Sequence, residues 1–190
     1  MSAYAVRQAR PNGWWGMAVF VATEATLFGT MIGTYGYLRF HNAHWPPKHI
    51  EPPAVLTPAL LTLALVLTTV PMQLAWNSAR RSARLRAVGL IAFAAAVQTA
   101  YLAWQLRDYV DEYHRMRPQA SAYASVYFTL LGTDHLHVLV GILLNLWLVL
   151  RLATSLTRYR LHALQAIVFY WYAVSVITVF VLLVQVSPHA

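Results

Sequence analysis

Residues 14–38 read WWGMAVFVATEATLFGTMIGTYGYL, a membrane-length run whose only formal charge is the carboxylate of Glu24. As a helix rising about 1.5 Å per residue, the run crosses a hydrocarbon core of about 30 Å. Glu24 then lies near mid-membrane, where an acid costs about 3 kcal/mol even on lenient insertion scales. Such a group is expected to face protein, water or a lipid headgroup instead of acyl chains. Glu24 is therefore the first candidate for function.

Four further apolar runs follow, at 56–76, 87–106, 124–150 and 161–185. They predict an all-α polytopic membrane protein: a bundle of five transmembrane helices forming a single membrane domain over residues 1–190. Composition agrees, with 59% apolar residues, 11% charged residues and a mean hydropathy of +0.50. The runs are too long and too free of charge for core helices of a water-soluble protein. They also lack the two-residue alternation of barrel strands. The first run is too long for a signal peptide and has no small-residue cleavage site behind it.

With five crossings, the N-terminus and the second and fourth loops share a side. That side carries Arg7, Arg10, Arg80, Arg81, Arg84, Arg86, Arg151, Arg158 and Arg160 without an acid. The other side has Arg39, Lys48, Arg107, Arg115 and Arg117 beside Glu51, Asp108, Asp111 and Glu112. The excess of arginine places the N-terminus in the cytoplasm and the C-terminus outside. The net charge of +8 follows from this bias and suits anionic lipid headgroups. Cations gathered at helix ends rather than in a basic tract give no reason to expect nucleic acid as a partner.

Trp14, Trp15, Tyr35, Tyr37, Trp76, Trp104, Tyr109 and Tyr123 fall near the predicted interfaces, as in an aromatic belt. Pro58 sits in a first helical turn, where its missing N–H loses nothing. Pro71 should bend the second helix near its cytoplasmic end. Gly29 and Gly33 form a GxxxG that lets another helix approach closely, either within the chain or from a partner.

Inside the spans the polar groups are Glu24, Gln73, Gln98, Asp134, His135, His137, Asn145 and Gln165. Asp134 and His137 lie about 60° apart around a helix and share a face, whereas His135 and His137 are about 200° apart and cannot clamp one metal. Two readings of the Asp134–His137 face stand: a hydrogen-bonded pair fastening helices, or a functional site. A b-type haem needs histidines on facing helices. His162 lies at a helix mouth and His114 in a loop, so none is available. With no cysteine there is no c-type haem attachment, iron–sulfur cluster or thiolate copper centre. GxSxG, HExxH and P-loop motifs are absent. A proton-coupled transporter using Glu24 and Asp134 stays open, although no internal repeat supports it.

Several segments, in order over residues 13–185, resemble the cytochrome c oxidase subunit III family of haem–copper oxidases. They begin with Trp14-Trp15-Gly16, the Thr23-Glu24 pair, Leu27-Phe28-Gly29 and Tyr37-Leu38-Arg39. Trp45-Pro46-Pro47 with Ile50 and Pro52, Gln98, the run from Leu131 to Gly141 and Phe169-Tyr170-Trp171 complete the set. The departures are also clear. Asp134 stands where the family has the first His of its His-Gly-x-His, and only His137 carries over. Gln165 replaces a glutamate, Tyr172 and Ser175 replace a His and an Asp, Asn77-Ser78 replace a tandem His, and Tyr101 replaces a Glu. The likeness is to five-helix variants, which lack two N-terminal helices of the long forms.

The resemblance implies a non-catalytic subunit without catalytic, cofactor-binding or metal-ligating residues of its own, in a bacterial or archaeal cell membrane. Haems and copper would belong to subunits I and II of a proton-pumping terminal oxidase. This chain would pack on subunit I, hold phospholipid and sustain proton uptake. Accessory subunits of a quinol oxidase or a nitric oxide reductase are the alternatives. Glu24, Gln98, Asp134 and His137 are the candidate lipid- or proton-related residues. The partner expected for Glu24 is a headgroup ammonium or an arginine.

Overall fold

The computed structural model describes residues 12–47, 50 and 55–187; Arg7, Arg10, Lys48, Glu51 and Pro52 of the sequence reading lie outside them. Its helices are α1 (Asn12–His41), α2 (Leu56–Leu67), α3 (Thr69–Arg80), α4 (Arg84–Arg115), α5 (Ala122–Thr154) and α6 (Arg158–Val186). A single 3₁₀ turn, Pro118–Ala120, precedes α5, and no strand occurs among the described residues. Helices α2 and α3 together make one span, so five segments are long and apolar enough to cross a membrane. All of them outrun the apolar stretches that predicted them. α4 continues past residue 106 to Arg115, through Arg107, Asp108, Asp111 and Glu112. Hydropathy marks only the hydrocarbon stretch, whereas backbone hydrogen bonding carries on into the headgroup layer.

The break between α2 and α3 falls at Thr68, in mid-span, rather than near the cytoplasmic end. Pro71 lacks an N–H, and its ring crowds the carbonyl four residues earlier, so the effect appears a turn before the proline. Thr68 adapts by sending both its N–H and its hydroxyl to the Leu65 carbonyl, at 3.0 and 2.6 Å.

Local chemistry ends the other helices. After α3, Ser82 takes a left-handed conformation (φ 61°), with Ala83 N–H on Ser78 O and Ser82 N–H on Ala79 O. This is the pattern of a Schellman stop. Ser121 Oγ caps α5 through Ala124 N–H, and Thr157 Oγ1 caps α6 through Arg160 N–H. At the far end of α5, Arg84 donates to Thr154 O, and Arg160 donates to the carbonyls of Arg151 and Ser155. These arginines serve orphan carbonyls at the negative end of the α5 dipole.

Helices α5 and α6 form the centre. α4 packs on α5, α3 and α2, while α1 leans on α6 and α5. One core cluster joins Leu65, Met72, Ile91, Val138, Leu148, Leu164 and Trp171. The other, nearer the Pro118 end, is aromatic and contains Phe28, Tyr35, Tyr123, Tyr127 and Phe128. Tyr35 and Tyr123 are thus core residues, not belt residues. Tyr35 pairs with Ser187 Oγ at 3.0 Å, and Trp45 packs edge-on against both tyrosine rings. Gly29 and Gly33 lie on the open side of α1, with nothing within 4 Å of where a Cβ would stand. The close internal approach occurs instead at Gly141, which lies against the buried indole of Trp171.

Candidate functional site

Glu24 and His137 meet across the α1–α5 contact, with Oε2 and Nε2 2.8 Å apart. The partner of the mid-membrane acid is therefore a histidine of the same chain, not the headgroup ammonium or arginine expected. The other ring nitrogen, Nδ1, lies 2.7 Å from the Thr133 carbonyl. A carbonyl can only accept, so Nδ1 must carry a hydrogen. The Nε2–Oε2 bond then holds one proton in either of two forms. One is a neutral imidazole facing a carboxylic acid; the other is an imidazolium facing a carboxylate. Both forms are net neutral, which is how an acid and a base can sit together at membrane depth. Losing that proton would set a lone pair against a carboxylate and break the contact.

Two further contacts hold His137 in place. Tyr170 of α6 donates its hydroxyl to the His137 carbonyl at 2.8 Å, and the Phe28 ring stands edge-on to the imidazole at 5.2 Å. The site thereby draws on α1, α5 and α6. Tyr170→Phe is expected to loosen it by about 0.5–1.5 kcal/mol, the net worth of one neutral hydrogen bond. A lowered midpoint in a detergent-unfolding titration would show this, and an unchanged midpoint would count against the contact.

Asp134 goes elsewhere. It shares a helix sector with His137, as its spacing predicts, but accepts from Thr178 Oγ1 of α6 at 2.8 Å and is only 2% exposed. The two residues fasten α5 to different helices rather than to one another. Gln98 belongs to a third place. Its Nε2 donates to Thr68 Oγ1 at 2.9 Å, and its Oε1 accepts from Asn145 Nδ2 at 2.8 Å. This chain of side chains crosses from the Pro71 break through α4 to α5, and all three residues are buried.

The four sequence candidates therefore occupy three separate sites. Tyr170, Thr68 and Thr178 complete those sites; Tyr170 entered the sequence reading only within Phe169-Tyr170-Trp171, and Thr68 and Thr178 were not singled out, because one hydroxyl among many carries no spacing signal. Of the diverged positions, Tyr101 is buried and accepts from Gln105, whereas Tyr172 is exposed and donates to Gln73. Ser175 Oγ is buried without a hydrogen-bond partner among the described residues. No group of three His, Asp or Glu side chains that could hold a metal ion occurs among the described residues.

The fold and these sites define an all-helical polytopic membrane protein whose mid-membrane polar groups join helix to helix. A family model described as cytochrome c oxidase subunit III matches residues 6–187, and the chain belongs to that family. It is 29% identical over 154 residues to the cytochrome bo(3) ubiquinol oxidase subunit 3 of Pseudomonas aeruginosa, covering 77% of this chain and 69% of that protein. It is 27% identical over 179 residues to a probable quinol oxidase subunit 3 of Staphylococcus haemolyticus, covering 92% and 86%. Identity to the cytochrome c oxidase subunit 3 of a Bacillus species is also 27%, over 173 residues, covering 90% and 83%.

Proposed function

We propose that this subunit III serves a proton-pumping terminal oxidase of a bacterial or archaeal cell membrane without carrying out redox chemistry itself. It packs on a subunit I that holds the haems and active-site copper, beside a subunit II. It binds phospholipid and helps proton uptake persist through many turnovers. The relatives include both quinol and cytochrome c oxidases, so either donor is compatible with this reading. The observation that carries it is the Glu24–His137 contact, a proton-sharing pair linking two helices. His137 spends both ring nitrogens on Glu24 and Thr133, which leaves none to ligate a haem. A transporter using Glu24 and Asp134 together is disfavoured, because the two carboxyls have different partners and Asp134 is sealed on Thr178.

Gentle solubilisation of a tagged chain should bring down a larger partner with a haem spectrum. A Soret band from the chain purified alone would sink the reading. In the assembled oxidase, Glu24→Gln keeps a donor that can face the imidazole but removes the shared proton. Assembly is expected to survive while lipid retention or durability of turnover falls. Oxygen consumption that matches the unaltered enzyme over a long assay would remove Glu24 from the function.

A further inference from the structure

Between α1 and α5, on the Pro118 side of the Glu24–His137 pair, lies a groove of about 250 Å³ lined by Thr30, Met31, Thr34, Ser125, Val126 and Thr129. Four of its six lining residues are hydroxyls, in a part of the bundle whose surroundings are apolar. On α5 the row continues every four residues as Ser125, Thr129, Thr133 and His137, ending on the imidazole whose Nδ1 the Thr133 carbonyl holds. By helix rise, Thr30 stands about 9 Å from the level of Glu24, and Thr129 about 12 Å from that of His137.

The hydroxyl hydrogens are already committed. Thr30 donates to Leu27 O, Thr34 to Thr30 O, Ser125 to Pro118 O, Thr129 to Ser125 O and Thr133 to Thr129 O, at 2.6–2.8 Å. What faces the groove is therefore a row of acceptor lone pairs, which suits a small hydrogen-bond donor. An anion such as a lipid phosphate finds no cation among the lining residues. Water fits, since about 30 Å³ per molecule lets the groove hold several.

A second observation points the same way. Asp134, Gln98 and Asn145 are 0–2% exposed, but Glu24 and His137 keep 17% and 14% of their side-chain surface open. That open surface leaves the pair within reach of a small hydrogen-bond donor, as the sealed Asp134, Gln98 and Asn145 are not.

We propose that the α1–α5 groove is a hydrated inlet, a short file of water that gives the Glu24–His137 pair contact with one side of the membrane only, the side of the 116–121 loop. Its purpose rests on the proton-sharing reading of the pair; its existence does not.

The chain has no cysteine, so a single introduced thiol is its only one, and labelling is read on this subunit after separation from the others. Thr34→Cys, Thr129→Cys and Thr133→Cys probe the inlet. Leu143→Cys and Phe180→Cys, at sites 56% and 52% exposed on the apolar surface, are the controls. A membrane-impermeant cationic thiosulfonate is added to either side of native membranes holding the full complex. Inlet positions should label at least about tenfold faster than the controls, because only a hydrated thiol ionises to the reactive thiolate. They should do so from the loop side alone. Labelling no faster than the controls, or equal from both sides, overturns the inlet. Labelling by an apolar maleimide alone would mean that acyl chains fill the groove, and overturns it too. In the Thr133→Cys background, Thr30→Val with Thr129→Val removes acceptors at nearly constant shape and should slow labelling several-fold; an unchanged rate would deny the hydroxyl row its role. These rates do not depend on whether Glu24→Gln alters turnover, so either idea can fail while the other stands.

Discussion

Replacing Gly141 with valine is expected to unseat α6 from α5. A Cβ at this position would lie 2.5 Å from Trp171 Cζ2, 2.9 Å from Cε2 and 3.0 Å from Cη2. The indole is fully buried and belongs to the larger core cluster, so it can retreat only by displacing packed neighbours. Overpacking a tight core costs about 1–3 kcal/mol and at times more, and here the obstacle is a rigid ring instead of a flexible chain end. Gly141→Ala already meets it, and Gly141→Val adds two methyl groups.

The check is an unfolding titration of the full chain in mild detergent, followed by tryptophan fluorescence, with Gly29→Ala and Gly33→Ala in parallel. The latter two have open space around them and gain helix propensity of up to about 1 kcal/mol, so their midpoints should hold or rise. Gly141→Ala should lower the midpoint strongly. Trp171→Phe removes the clashing six-membered ring, so combined with Gly141→Ala it should cost less than the two single changes summed. Equal effects at Gly29 and Gly141 would show that the helices do not pack this way.

That contrast shows where sequence reading succeeds and where it stops. Length and hydropathy revealed all five spans, because a bilayer demands a run of about 20 apolar residues whatever surrounds it. Pro71 announced a bend near the end of the second span, whereas the helix is interrupted at Thr68. Spacing also placed Asp134 and His137 on one sector of α5. It could not name their partners, since Glu24 is 113 positions from His137 and Thr178 belongs to another helix. The GxxxG at Gly29 and Gly33 offered a close approach within the chain or from a partner, but within the chain the tightest approach is made at Gly141. Small residues permit approach without causing it, and what decides is the large ring arriving from the facing helix. Tyr35 and Tyr123 misled for a related reason. In a multi-helix bundle, a tyrosine at interface height turns inward as readily as outward, and its tertiary contacts set the direction: Ser187 and Trp45 for Tyr35, Trp45 and Tyr127 for Tyr123.

Gln98→Leu should be the most damaging change among the buried polar residues, and its partner should be able to repair it. The glutamine bridges Thr68 and Asn145 from a position that is 0% exposed. Leucine would fill similar space but would strand Asn145, whose Nδ2 loses its acceptor and whose Oδ1 is already without a partner among the described residues. Thr68 suffers less, because its hydroxyl still donates to Leu65 O. Leaving a buried amide unsatisfied costs about 1–3 kcal/mol. Hydrogen bonds between membrane helices average only about 0.6 kcal/mol, because partners are easily found when chains separate, but Asn145 has no substitute while the bundle stays folded. Asn145→Leu alone should cost less than Gln98→Leu, since Gln98 keeps Thr68 as an acceptor. The double change, Gln98→Leu with Asn145→Leu, removes the stranded amide with its bridge and should recover most of the loss. Measured in one unfolding assay, the order expected is wild type near the double variant, then Asn145→Leu, then Gln98→Leu. Strictly additive losses would mean that the two amides do not interact, and that α4 is held to α5 by its apolar packing and by Arg84 and Tyr109, which donate to the Thr154 and Phe128 carbonyls.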